Sequence, residues 1–319
     1  MRVIFLGTPA FSVAALQRLV ESKHEVIAVV TQPDKPNGRG NKIVPCEVKV
    51  FAEKNNLPVY QFNKIGRDGV DVLTKLKPDI MVTVAYGQIL SQQVIDIPKY
   101  GIINVHASLL PKYRGASPIQ SAIIKGETVT GITIMQTDIG LDTGDIISKR
   151  AIDILSDDTA ETLGRKLSHV GAELLIETLT EIENGTAVFE KQNHSEATFT
   201  SKLEKEDCYI NWQKSSHQIK CLIMGANSEP VASTKLNGQV VKIYTAQEEK
   251  PEVVGEFVAG QIMPNSSAKN GVFVRCGTGV IKLGLCQLPG GKVLEATQLF
   301  NGRKFKVGDI FEYNIQIES

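Results

Sequence analysis

The sequence predicts an α/β fold, a doubly wound parallel sheet, followed by a small β-barrel domain. Three observations carry this. Apolar runs of strand length alternate with segments of helical spacing through the first part of the chain. A long helical pattern then closes that part. After a polar stretch, short β-type runs recur between glycine-rich turns.

Val3–Leu6 is a short apolar run ending at Gly7 and reads as the first strand. Phe11, Ala14, Ala15, Leu16, Leu19 and Val20 follow at helical spacing. Val26–Thr31 is a buried-type strand. Val48, Val50, Phe51 and Ala52 predict a short helix, and Val70, Val72, Leu73 and Leu76 another. The strands Asp79–Ala85, Gly101–Val105 and Gly131–Gln136 come next. Asp158-Thr159-Ala160-Glu161 reads as a capping box for a long helix carrying Leu163, Leu167, Val170 and Leu174, with Asn184-Gly185 as its stop. Glu190 to Thr200 has no clear periodicity and reads as a linker. Beyond it, Ser216–Met224 is helix-like. Val240–Tyr244, Val253–Val258, Gly271–Cys276 and Val280–Leu285 are β-type runs, with Cys276-Gly277-Thr278-Gly279 and Pro289-Gly290-Gly291 as turns. The expected division is 1–189, a linker over 190–205, and 206–319.

The chain has 319 residues, with 35 Lys plus Arg against 35 Asp plus Glu. Length suits about two domains. Hydrophobic residues at 42% and charged residues at 22% exclude a disordered or supercharged chain. Zero net charge leaves room for a local basic face, as at Lys35-Pro36-Asn37-Gly38-Arg39-Gly40-Asn41-Lys42 or Arg303-Lys304-Phe305-Lys306. No apolar run is long enough to span a bilayer, and no signal peptide is read at the start, so no membrane role is expected. The 5 cysteines are scattered without a CxxC or His/Cys cluster, which points to free thiols in a reducing cytoplasm and to no metal.

Ligands of such sheets sit beyond the carboxyl ends of the strands. The first junction, Gly7-Thr8-Pro9, lacks the GxGxxG glycines and reads as a tight turn with proline at a helix start, not a dinucleotide site. Asn104-Val105-His106 ends an apolar strand, so Asn104 and His106 project to one side. An amide there can donate to a developing oxyanion, and an imidazole can move a proton near neutral pH. The same spacing also fits a structural histidine beside a turn asparagine. The following loop, Ala107 to Gln120, holds leucines that could wall a pocket for a flat heterocycle, or could simply tuck under it. Asp138, Asp142 and Asp145 lie in a glycine-flanked turn. A carboxylate near His106 would orient the ring, but each aspartate could equally cap the turn.

Four stretches carry a resemblance. Gly7-Thr8-Pro9-x-Phe11, Thr31-Gln32-Pro33-Asp34-Lys35-Pro36-x-Gly38-Arg39-Gly40, Asn104 through Ile119, and Gly140-Leu141-Asp142-Thr143-Gly144-Asp145 resemble the methionyl-tRNA formyltransferases. Leu203-Glu204-Lys205-Glu206-Asp207 and Ile210-Asn211-Trp212 are similar to the start of that family's carboxyl-terminal domain, so the resemblance covers nearly the whole chain. It implies a Rossmann-like formyltransferase domain and an OB-like, tRNA-binding barrel. The implied reaction moves the formyl group of 10-formyltetrahydrofolate to the amino group of methionyl initiator tRNA, in a cytoplasmic monomer that needs no metal. Asn104, His106 and Asp142 are implied as catalytic, and Ser108, Leu109, Leu110 and Pro111 as the wall for folate. Lys35, Arg39 and Lys42 are implied as contacts to the acceptor end of the tRNA. Asn-x-His with a distant Asp is common to folate-dependent formyltransferases, so a sugar-amine formyltransferase shares it. A folate deformylase and a non-catalytic RNA-binding module are the other readings. Where many members have Asn-Pro-Trp-Pro, this chain reads Gly225-Ala226-Asn227-Ser228-Glu229-Pro230-Val231.

Overall fold

The structure, a computed structural model, describes residues 1–37, 42–227, 229–250 and 255–312. The chain divides into two compact units. The first comprises Met1–Pro118, Thr130–Ile152 and Gly164–Thr200. In chain order its strands are β1 (Arg2–Gly7), β2 (Glu25–Thr31), β3 (Lys35–Asn37), β4 (Lys42–Val44), β5 (Val59–Gln61), β6 (Ile80–Val84), β7 (Ile102–His106), β8 (Arg114–Gly115), β9 (Val129–Gln136), β10 (Ile146–Asp153) and β11 (Phe199–Thr200). The helices of the chain up to that point are α1 (Val13–Val20), α2 (Glu47–Lys54), α3 (Ile65–Asp68), α4 (Val70–Leu76), α5 (Gln92–Ile95), α6 (Pro118–Ile124) and α7 (Ala160–Asn184).

Seven strands form one sheet in the order β10-β9-β7-β6-β1-β2-β5. The run β7-β6-β1-β2-β5 is parallel, as expected. All five residues of β6 are buried, and so are Val3 to Leu6 of β1. Continuous apolar strands of this kind are covered on both faces. Each such side chain, fully buried, contributes roughly 1.5–3 kcal/mol. Proline at the first junction opens a short 3-10 turn over Ala10–Ser12 that leads into α1, as its fixed φ allows. The capping of α7 sits one residue later than the sequence indicates. Thr159 and Thr162 exchange hydrogen bonds, the Thr162 N–H donating to Thr159 Oγ1 at 3.1 Å and the Thr159 N–H to Thr162 Oγ1 at 2.9 Å.

One strand departs from the parallel pattern. β9 runs antiparallel to β7, pairing His106 with Thr133 and Ile103 with Gln136. The connection from β7 carries the short helix α6, and β9 then returns beside β7 in the opposite direction. The end of β9 at Gln136 therefore lies level with Ile103, near the start of β7 and below His106.

The second unit comprises Ile119–Val129, Asp153–Leu163 and the described residues from Ser201. It adds α8 (Ser216–Gly225), β12 (Ser233–Leu236), β13 (Gln239–Ile243), β14 (Ala246–Glu249), β15 (Val272–Arg275), β16 (Val280–Leu283), β17 (Leu285–Gln287), β18 (Val293–Glu295) and α9 (Ala296–Asn301). The sheets β12-β13-β17-β18 and β14-β16-β15 are antiparallel. One ladder links them. The run β13–β14 pairs with β16–β17 in constant register, Ile243 with Cys286 and Ala246 with Leu283, and bends between sheets at Thr245 and Gly284. Such a bend wraps the strands around one core, as a small barrel requires. Trp212 fills that core, stacked 5.3 Å from Phe311, its indole N–H donating to Thr234 Oγ1 at 3.0 Å. Of the strand expected at Val253–Val258, residues 253 and 254 lie outside the described residues. No strand forms over 255–258, where Val258 is exposed and offers no face to bury. In the segment that departs from the family pattern, the Asn227 amide donates to the Tyr244 carbonyl at 2.6 Å.

Candidate active site

Strand β7 presents Asn104 and His106 two residues apart, and both reach the same carboxylate. The Asn104 Oδ1 accepts from Thr83 Oγ1 at 3.0 Å, on the neighbouring strand β6. That hydroxyl also lies 3.2 Å from the Ile103 carbonyl, so its single proton is shared, and the amide is oriented by the carboxylate it faces, which only accepts. Nδ2 faces Asp142 Oδ1 at 3.4 Å, and the side chain is half-buried. His106 is buried, and its Nε2 lies 3.0 Å from the Tyr113 carbonyl oxygen. A carbonyl only accepts, so Nε2 carries the proton and Nδ1 is the open position of the neutral ring. Nδ1 faces Asp142 Oδ2 at 3.7 Å.

Because β9 ends level with Ile103, the turn after it must climb back along β7 to bring Asp142 to Asn104 and His106. Two features make the climb. Gly144 packs so tightly on the Gln136 carbonyl that any Cβ would collide with it. Asp142 itself adopts a φ of 52°, a strained region for a residue with a side chain. Its carboxylate is anchored by the backbone, Oδ2 accepting the Gly115 N–H at 2.8 Å. Gly115 has a φ of 112°, which glycine alone adopts freely. Of the three candidate aspartates, Asp142 therefore joins the pair on β7. Asp138 turns to its own loop, accepting from Thr143 Oγ1 at 2.6 Å.

The residues expected along a ligand divide in two. Ser108 and Leu110 point inward. The Ser108 hydroxyl donates to the Lys112 carbonyl at 2.6 Å, and Leu110 packs with Met135 and Ile146. What they offer a ligand is backbone. Leu109 and Pro111 are half-buried. Lys35 is exposed on β3, which pairs with β4 through Asn37 and Lys42. Arg39 lies outside the described residues, as does the Lys42 side chain. The root of that hairpin is pinned, since Lys49 Nζ donates to Asp34 Oδ2 at 2.6 Å and Gln61 Nε2 to Asp34 Oδ1 at 2.9 Å.

Sequence reasoning missed part of the site. Arg114 reads as a cation on an exposed loop, yet only 2% of it is accessible. Gln192 sits in the stretch read as a linker, yet it is buried and hydrogen-bonded to the Asp142 turn. Neither has a local signal, because both contacts are made across long sequence separations. Among the described residues no group of three or more His, Cys, Asp or Glu side chains is arranged to hold a metal ion. No helix of the described residues is long and apolar enough to cross a membrane.

An oriented amide, an imidazole with a defined tautomer and an anchored carboxylate around one accessible point suit acyl-type transfer to a nucleophile. Comparison with known proteins agrees. The family described as "Formyl transferase" matches residues 1–179, and "Formyl transferase, C-terminal domain" matches residues 202–304. A relative from Acetivibrio thermocellus, "Methionyl-tRNA formyltransferase", is 45% identical over 311 residues, covering 97% of this chain and 99% of its own. Among solved structures, an N-formyltransferase from Helicobacter canadensis in complex with folinic acid and dTDP-3-aminofucose aligns with a TM-score of 0.66 at 20% identity, over 92% of this chain and 99% of its own. HypX from Aquifex aeolicus in complex with tetrahydrofolic acid aligns at 0.64 and 18% identity, over 98% of this chain, which spans 51% of that longer protein. At those identities the two structures speak for the fold alone.

Proposed function

The chain belongs to the methionyl-tRNA formyltransferase family, and from that premise we propose how its own residues carry out the reaction. It transfers a formyl group from a folate co-substrate to the free amino group of methionyl initiator tRNA. The donor in this reading is 10-formyltetrahydrofolate. The observation that carries it is the convergence of Asn104, His106 and Asp142, with the ring and the carboxylate held by the main chain at Tyr113 and Gly115 and the amide facing the carboxylate.

The methionyl amine attacks the formyl carbon, and the carbonyl oxygen gains charge. Asn104 Nδ2 donates to that oxyanion, an interaction typically worth about 10²–10³ in rate. His106 accepts a proton at Nδ1, while Nε2–H stays on the Tyr113 carbonyl, and Asp142 stabilises the imidazolium so formed. The bond from the formyl carbon to folate N10 then breaks, and the proton released by the amine reaches N10 through His106 or a water on Asp142. The folate would lie along the Ser108–Pro111 backbone with Leu109 and Pro111 against its rings. Lys35, Arg39 and Lys42 would meet the acceptor end of the tRNA, since RNA is read mostly at single-stranded ends and loops. Residues 206–319 would hold the rest of the tRNA, and residues 1–189 would form the catalytic domain together with the packed part of the 190–205 segment as far as Thr200. The chain would work as a monomer in the cytoplasm, with no metal in the reaction. Chelators are expected to leave turnover unchanged, and inhibition reversed by added metal would contradict that part of the reading.

The test is an assay with formyl-labelled 10-formyltetrahydrofolate, offering charged initiator tRNA, charged elongator tRNA and a sugar amine in parallel. Label is expected on initiator methionyl-tRNA. Transfer to the sugar amine alone, or release of free formate alone, would replace this reading with the corresponding rival.

A further inference from the structure

Asp142 is held at its carboxylate by Gly115, and its main chain is held separately by Gln192. The Gln192 Nε2 donates to the Asp142 carbonyl at 2.9 Å and to the Gly144 carbonyl at 2.7 Å. Its Oε1 accepts from Arg114 Nε at 3.2 Å and Nη2 at 2.6 Å. The orientation of the amide is forced, because a guanidinium only donates and two carbonyls only accept. Arg114 Nη2 also donates to His194 Nδ1 at 3.1 Å. Among the described residues no carboxylate pairs with this buried guanidinium, an expensive arrangement for a group that never loses its charge. A cation on Oε1 polarises the amide and strengthens the hydrogen bonds that Nε2 donates on its other side.

The same segment reaches the carboxylate anchor too. Strand β11 pairs with β8, the Ala116 N–H donating to the Thr200 carbonyl at 3.2 Å and Thr200 Oγ1 to the Arg114 carbonyl at 3.3 Å. Residues 192–200 therefore clasp the Asp142 turn on one side and the Gly115 amide on the other.

We propose that Gln192, oriented by Arg114, is a positioning residue for Asp142, holding its strained main chain so that the carboxylate stays on the reaction axis. The role is separated from a fold-stabilising one by a variant in which thermal stability and kcat part company. This inference rests on the reading of Asp142 as a member of the catalytic group.

The experiment is steady-state formylation of initiator methionyl-tRNA by Gln192→Ala, Gln192→Glu and Asp142→Ala, and by each Gln192 change combined with Asp142→Ala. Gln192→Glu keeps an acceptor for Arg114 but loses the N–H donors. Both Gln192 variants are expected to lose about 10–100-fold in kcat, the scale of a small misplacement at a reacting centre. KM for both substrates is expected to stay within about two-fold. Gln192→Glu is expected to regain thermal stability lost in Gln192→Ala without regaining kcat. In the Asp142→Ala background neither Gln192 change should lower kcat further. Turnover at the wild-type level in Gln192→Glu, or losses that add to that of Asp142→Ala, would overturn the inference and leave the catalytic reading standing. Wild-type kcat in Asp142→Ala alone would overturn the catalytic reading and this inference with it.

Discussion

Asp142 stands 3.7 Å from His106, Oδ2 to Nδ1, while that same oxygen takes the Gly115 N–H at 2.8 Å. The carboxylate is thus held by the main chain and faces the imidazole without depending on it. Removing the ring should leave Asp142 in place. His106→Ala is expected to lower kcat by about 10²–10³ with an unchanged far-ultraviolet spectrum. Asp142→Asn is expected to lose as much. Its amide must turn an NH2 toward either Gly115 N or Asn104 Nδ2, and both are donors. Unimpaired formylation in both variants would favour a non-catalytic RNA-binding role.

The Thr83 hydroxyl, shared between Asn104 Oδ1 at 3.0 Å and the Ile103 carbonyl at 3.2 Å, supports the amide orientation that the Asp142 carboxylate sets. In Thr83→Val the amide loses that support, and its donor leaves the oxyanion position part of the time. A net hydrogen bond of about 0.5–1.5 kcal/mol corresponds to roughly a two- to twelve-fold fall in kcat. Thr83→Ser keeps the hydroxyl and is expected to retain turnover. A Val variant as fast as the parent would show that the amide needs no such guide.

The core of this site was legible at the level of Asn104 and His106, because alternation along a strand is strictly local. Asp142 was legible as one of three, since a glycine-flanked turn can be recognised but not aimed. What aims it is the antiparallel course of β9, a pairing with β7 made across a long sequence separation that no local pattern announces. Strands such as β6 were readable because burial on both faces leaves an apolar run that Thr83 alone interrupts. Strand β10 was not, because its exposed edge residues Lys149 and Asp153 break the pattern. Arg114 and Gln192 were misread for a related reason. Polar residues are mostly exposed, and only a partner 78 positions away turns these two inward.

The root of the β3–β4 hairpin is set by Asp34, which Lys49 and Gln61 hold below the usual carboxylate range. If the hairpin meets the acceptor end, Asp34→Ala and Arg39→Ala should both raise KM for methionyl-tRNA several-fold. Folate binding, measured by fluorescence quenching, should move by less than two-fold. Equal loss of both affinities would remove the hairpin from the tRNA contact. The sign of the pH effect follows from the depressed value. The contribution of the Asp34–Lys49 pair is complete above about pH 4, the ordinary range of an aspartate, and fades as pH falls through the lower native value.

The thiols offer a check on the core of the second unit. Cys208, Cys221, Cys276 and Cys286 are buried, whereas Cys46 is partly accessible. Burial pushes the Cys208 thiol up to about 11 and that of Cys276 up to about 12. Those of Cys221 and Cys286 are also raised. The thiolate is the reactive form, so at pH 8 Cys208 carries about one part in a thousand of it, and burial blocks access as well. Iodoacetamide at pH 8 should therefore modify Cys46 alone in the native protein, with the other four reacting in parallel with unfolding by guanidinium. Mass spectrometry of the labelled peptides reads this directly. Alkylation of Cys276 or Cys286 at the Cys46 rate, under conditions where formylation activity is intact, would mean that the core around Trp212 opens far more readily than its packing implies.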